Sequence, residues 1–166
     1  MMAYTRRDGR LATQLRPVIV QQNAFGYAAA SVFLSIGNTK VLCAVTLQNG
    51  VPPFLRGRGT GWLNAEYAML PTSTQDRSTR EISNMMRSGR SSEISRFISR
   101  ALRAVVDVRL LGERTIMVDC DVLQADGGTR TACITAASMA LELAQNSWLS
   151  SKQISTPFLL DTVGAI

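Results

Sequence analysis

The chain contains no histidine. That absence excludes Ser-His-Asp and Cys-His catalysis, histidine-ligated zinc and imidazole general bases together. Any chemistry must therefore rest on carboxylates, arginines, an ion held by oxygen ligands, or a co-substrate that brings its own nucleophile, as inorganic phosphate would. Lysine is almost missing too. Lys40 and Lys152 are the only two, so the 18 basic residues, set against 12 acidic ones for a net +6, are nearly all arginine. Arginine grips carboxylate or phosphate with a planar fork, which fits a polyanionic partner such as RNA; a net charge of this size also occurs in proteins that bind no nucleic acid. Cysteine is sparse. Cys43, Cys120 and Cys133 are odd in number, far apart along the chain and set among apolar residues. They read as buried thiols in a reducing compartment, not as disulfides or a zinc site. Long apolar runs are lacking: the longest, around 27–36, is too short to span a bilayer, and residues 1–10 carry charges without an apolar h-region. The expectation is a cytoplasmic protein with no membrane partner.

What is present is ordinary for a folded domain. With 166 residues, 46% hydrophobic and 18% charged, the chain reads as a single domain over 1–166, large enough to bury a core without covalent staples. The first third reads as a β-meander. Residues 17–21, 28–36 and 39–47 are rich in Val, Leu and Ile, and Gly37-Asn38 has the composition of a hairpin turn. Residues 49–61 hold Pro52, Pro53, Gly57, Gly59 and Gly61, too much Pro and Gly for a helix or central strand. The spaced glycines hint at a nucleotide-binding fingerprint, but no helix follows, and the stretch reads as a loop.

Strand character returns over 62–70 and Pro71 ends it. Residues 72–92 are polar, with Arg77, Arg80, Arg87 and Arg90; a connection of this length is either a solvated loop or one that orders on an RNA backbone. From Ser91 the period changes. Ile94, Phe97, Ile98, Ala101, Leu102 and Val105 form one apolar face of a helix with Ser91 or Ser92 as N-cap, while Arg96, Arg100 and Arg103 fall on the other face, toward solvent or another subunit. Arg90 then lies just before the helix, where its dipole already favours an anion. Residues 115–125 read as a strand on which Asp119 and Asp121 share a face. They could hold a metal or share a proton, and they could equally accept hydrogen bonds from neighbouring arginines; the structural role is preferred.

The most informative stretch is 119–130, a strand running through Gly127-Gly128 into a helix over 129–145 that starts with Thr129 and Arg130. Glycines allow close backbone approach, the N–H groups of a helix's first turn point at an anion, and Arg130 adds a cationic fork. The plainer reading, a tight strand-to-helix connection with a surface arginine, stays open on spacing alone. The small residues Thr131, Ala132, Thr135, Ala136, Ala137 and Ala140 let that helix lie close on a sheet and need no ligand. Residues 157–166 begin like another buried strand and stop in mid-run, which reads as a chain cut short at its C-terminus.

These segments resemble the ribonuclease PH family of phosphate-dependent exoribonucleases. The similarity runs from Arg7-Asp8-Gly9-Arg10 through 37–43, Gly61-Trp62 to Pro71, Gly89-Arg90, Glu93-Ile94, 100–107 and 111–116 to the turn ending at Thr131. The resemblance implies an α+β fold, a mixed β-sheet packed with helices and containing a left-handed βαβ crossover, present here as the N-terminal two-thirds. It implies a homo-oligomer, a hexamer built as a trimer of dimers, that trims the 3′ ends of tRNA precursors and other RNAs by phosphorolysis. Inorganic phosphate is then the co-substrate, with Mg2+ assisting. By position, phosphate falls to Arg90, Gly128, Thr129 and Arg130, and RNA to Arg77 and Arg80. Two departures stand out: Thr72 follows Pro71 where a third RNA-binding arginine is expected, and three alanines, Ala28, Ala29 and Ala30, replace a glycine and an acidic residue. The family's essential aspartates lie beyond Ile166. The rival expectations are a non-catalytic RNA-binding or ring-forming subunit of the exosome type, and an inert fragment.

Overall fold

The computed structural model describes residues 5, 6, 8–80 and 89–166. Among the described residues five strands form one sheet: β1 (Val18–Gln22), β2 (Ala30–Ile36), β3 (Thr39–Asn49), β4 (Trp62–Met69) and β5 (Arg114–Gln124), in the order β1-β2-β3-β5-β4. The expected hairpin is present. β2 and β3 pair antiparallel from Ile36↔Thr39, closed by Gly37 at φ 60°, and β1 extends the meander. β3 pairs antiparallel with β5, and β5 lies parallel to β4. That parallel pair is joined through α1 (Gly89–Arg103), giving the βαβ unit; α2 (Thr129–Ser150) follows β5 directly.

Alternation along the strands decides where the core sits. Val41, Cys43 and Val45 on β3, Leu63, Ala65 and Tyr67 on β4, and Ile116, Val118, Cys120 and Val122 on β5 all face the helices and are buried. Each aliphatic side chain so enclosed stabilises the fold by about 1.5–3 kcal/mol. From α1 come Ile94, Ile98 and Leu102; from α2 come Ala132, Ala136, Ala137, Ala140 and Leu141. The alanines bring α2 down onto the sheet, as their size predicts.

β4 is an edge strand, and an edge strand presents unpaired N–H groups. Here α1 answers them. Ser99 Oγ accepts from the Ala65 N–H at 2.8 Å and Ser95 Oγ from the Tyr67 N–H at 3.0 Å, the serines being one helical turn apart. Gly61, just before β4, is needed for space. A Cβ there would lie 2.6 Å from Leu111 Cβ, 2.7 Å from the Arg114 carbonyl and 2.9 Å from that of Gly112.

Three expectations require correction. α1 starts no later than Gly89, so neither Ser91 nor Ser92 is its N-cap and Arg90 sits inside the helix; Ser91 is buried instead. Arg103 does not join Arg96 and Arg100 in solvent. Its guanidinium stacks over the Trp62 ring at 4.2 Å, Trp62 being braced edge-on by Phe54. Residues 157–166 form no strand beyond an isolated bridge, Val106↔Leu159. They run as an extended segment held on α2: Gln145 Oε1 accepts from the Phe158 and Leu159 N–H groups, Ser138 Oγ from Val163 and Thr135 Oγ1 from Ala165. Among the described residues no helix is long and apolar enough to cross a membrane.

Candidate functional site

The turn between β5 and α2 is built as the sequence leads one to expect. Gly127 and Gly128 both have positive φ, 84° and 72°, a region costly for other residues, and Gly128 is the N-cap of α2 without any side-chain cap. The first N–H groups of α2 thus receive no capping side chain, and no acidic residue occupies its first turn. A Cβ on Gly128 would meet Arg16 Nη2 at 2.9 Å.

Two residues hold this turn, and neither was singled out as a site residue. Thr39, fully buried at the start of β3, donates its hydroxyl to the Gly127 carbonyl at 2.7 Å and accepts from the Asp126 N–H at 3.1 Å. Arg16 donates from Nη1 to the carbonyls of Asp126 and Gly127, both at 3.2 Å. Thr39 falls inside the matched segment after Gly37, which is a signal; nothing local marks Arg16. The N-terminal hook stands beside them. Arg10 pairs with Asp8 at 2.7 Å, and Arg6, Asp8, Arg10, Arg16, Asp126, Gly127 and Gly128 line a cavity of about 500 Å³. Arg7 lies outside the described residues.

On the other side of the turn stand Thr129, Tyr67, Arg130 and α1. The Thr129 hydroxyl is 3.0 Å from the Tyr67 hydroxyl inside the protein. Burial raises the Tyr67 pKa, opposed by the hydrogen bond with Thr129 and by the positive charges of Arg90 and Arg130. Arg130 Nη2 donates to Glu93 Oε2 at 2.8 Å, and Glu93 follows Arg90 by three positions on α1. That pair is about half exposed, so it contributes only about 0–1 kcal/mol and an anion can displace it.

The segment after β4 folds back on the end of β5. Ala125 N–H donates to the Ser73 carbonyl at 2.8 Å and Ser78 N–H to the Pro71 carbonyl at 2.9 Å. Arg77 and Arg80 are exposed on it, and Thr72 is exposed as well; Arg87 lies outside the described residues. Arg80 comes close enough to Asp121 for its charge to oppose the rise that burial imposes on that carboxyl. Asp119 is raised by burial first, then by Glu66, its register partner on β4, and by Asp121. These carboxylates occupy the sheet face away from α2. At the glycine turn, Glu93 stands on the α1 side in its exposed pair with Arg130, while Asp8 and Asp126 stand on the other side. Mg2+ is held through one or two carboxylates together with phosphate and water oxygens, and among the described residues Asp8 and Asp126, lining the cavity beside Gly127 and Gly128, are the carboxylates placed for that.

Together these features define a two-layer α+β domain with an uncapped glycine turn, flanked by arginines, at a helix opening. The chain belongs to the 3′ exoribonuclease family: the model of that family's domain 1 matches residues 14–146. It is 51% identical over 149 residues to ribonuclease PH of Halalkalibacterium halodurans, covering 90% of this chain and 58% of that protein. It is likewise 51% identical over 150 residues to ribonuclease PH of Bacillus cereus, covering 90% of this chain and 61% of that one. The chain thus spans about three fifths of the curated relatives it matches. Among solved structures, rice Rrp46 superposes with a TM-score of 0.72 at 20% identity over 95% of this chain and 64% of that one. The Archaeoglobus fulgidus exosome with RNA bound to the active site gives 0.71 at 23% identity over 96% and 63%. These two likenesses speak to the fold. The resemblance to the ribonuclease PH family and the α+β reading are both borne out.

Proposed function

We propose that this chain carries the phosphate- and RNA-gripping part of a phosphorolytic 3′ to 5′ exoribonuclease that trims tRNA precursors. The observation that carries the reading is half-identity to proteins named ribonuclease PH over nine tenths of the chain. The uncapped Gly127-Gly128 turn supports it, because a purely structural subunit has little need for such a cradle. Phosphate is held by Arg90, Arg130 and the backbone at Gly128 and Thr129. One of its oxygens attacks the terminal phosphodiester phosphorus in line, the P–O3′ bond breaks, and the 3′-oxygen of the penultimate nucleotide leaves, taking a proton. The last nucleotide departs as a nucleoside 5′-diphosphate. Two unit anions pressed to about 4 Å repel by about 4 kcal/mol at an effective dielectric of 20. The guanidinium groups act by neutralising that repulsion and by holding the attack geometry.

Arg77 and Arg80 grip the RNA backbone, with Thr72 forgoing a third contact. Working as a homo-oligomeric ring, a hexamer of three dimers in the cytoplasm, belongs to the same reading, as does assistance from Mg2+. The second reading, a non-catalytic exosome-type subunit, has in its favour the fold shared with Rrp46 and the archaeal exosome. Incubating the protein with a short RNA, with and without inorganic phosphate, tests both. Phosphate-dependent release of nucleoside diphosphate, lost in Arg130→Ala, supports the enzyme. RNA retention without release supports the binding subunit, and neither outcome defeats both.

A further inference from the structure

Cys43, Cys120 and Cys133 are separated by 77 and 90 positions or stand on a different element, yet the fold brings them to one point. Cys43 and Cys120 face each other directly across β3 and β5, and α2 lowers Cys133 onto them. Their sulfurs all lie within 4.8 Å of one another, Cys43 Sγ and Cys120 Sγ at 3.2 Å, and none is in a disulfide. All three residues are buried, and the neighbouring register pairs on the same face are Val41↔Val122 and Val45↔Val118. Among the described residues this is the one group of three metal-ligating side chains that gathers in this way.

Sulfurs about 2.3 Å from a pyramidal three-coordinate centre stand roughly 3.5 Å apart, so a pair at the 4.8 Å limit closes by about 1.3 Å, shared between two side chains, to meet on one atom. Charge decides which atom. A divalent ion on three thiolates leaves a net negative charge in an apolar interior, which is strongly penalised, and structural zinc also wants a fourth ligand. Histidine cannot supply it, and Asp119 and Asp121 project from the opposite face of β5. A trivalent thiophilic element has neither problem, because three thiolates neutralise it and complete its coordination.

We propose that the three cysteines form a buried binding site for trivalent arsenic. The step is As(OH)3 + 3 R–SH → As(SR)3 + 3 H2O. Three As–O bonds break, three As–S bonds form, each thiol proton leaves with a hydroxide as water, and no oxidation state changes. Arsenous acid is itself uncharged, so it can pass through apolar surroundings during local opening. Cys133 follows Thr129 by four residues, so the bound atom also ties the opening of α2 to β3 and β5.

The test is titration of the folded protein, free of competing thiols, with arsenous acid. One equivalent is expected to protect all three thiols from an aromatic disulfide reagent added after denaturation, to produce sulfur-to-arsenic absorption in the near ultraviolet, and to raise the unfolding temperature. Cys133→Ala is expected to weaken binding at least tenfold. Phenylarsine oxide, which can engage only two thiols, is expected to leave one of the three reactive in the unaltered protein, a comparison that needs no variant. Zinc ion at the same concentration is expected to give no protection. Protection appearing only when arsenic is added to unfolded protein, no rise in unfolding temperature, or zinc binding as tightly as arsenic would each overturn the assignment.

Discussion

Replacing Thr39 by valine removes one hydroxyl at almost constant volume and shape, so it creates neither a cavity nor a change of β-branching. The hydroxyl has two partners, the Gly127 carbonyl at 2.7 Å and the Asp126 N–H at 3.1 Å. Each bond contributes about 0.5–1.5 kcal/mol net. Asp126 and Gly127 are exposed, so water can reach the released groups and the loss stays near that net value instead of the larger cost of sealed orphans. The sum is about 2 kcal/mol. With a urea dependence of about 1–3 kcal/mol per molar, the unfolding midpoint falls by about 1 M. Because the glycine turn also loses its tie to β3, phosphate affinity measured by calorimetry is expected to fall several-fold. Thr39→Ser keeps the oxygen and serves as the control. A valine variant within about 0.5 kcal/mol of the parent, or a serine variant losing as much as valine, refutes the account of how the turn is held.

Gly61→Ala places a methyl group against the Arg114 and Gly112 carbonyls, which cannot swing aside as a side-chain tip can. A loss of about 1–3 kcal/mol in urea unfolding is expected, and an unchanged midpoint would show that the backbone yields freely there. Asp119→Asn is expected to stabilise the protein at neutral pH. Burial, Glu66 and Asp121 raise the Asp119 pKa in the folded state, so its favourable contribution is complete below the ordinary aspartate value of 3.8 and is lost as pH rises through the raised folded value. Thermal melts should therefore show the asparagine advantage shrinking on acidification; an advantage that grows toward low pH contradicts that cause.

The strands were legible because alternating Val, Leu and Ile in short runs bounded by Gly-Asn or Pro leave little choice of structure. α2 and its glycine opening were legible for a similar local reason. What escaped depends on groups distant in sequence. Arg103 shares its helical face with Arg96 and Arg100, and only the position of Trp62 on a strand edge pulls it inward. The extended course of 157–166 follows from side chains of α2, Thr135, Ser138 and Gln145, that capture its N–H groups. In the candidate site, Gly128, Thr129 and Arg130 are consecutive and so could be read together. The bracing by Arg16 and Thr39, and the meeting of three cysteines from β3, β5 and α2, are made by the fold alone.

The hydroxyls of Ser95 and Ser99 make the sheet one-sided. With those two β4 donors answered by the helix, a foreign strand finds its opening at the far border, along β1, whose five residues are all exposed and include Val18, Ile19 and Val20. Any growth of this sheet by main-chain pairing is thereby given a direction, away from the parallel βαβ unit. Alanine at both serines would leave the Ala65 and Tyr67 N–H groups buried under α1 without an acceptor, so it would destabilise that border instead of opening it to a second strand.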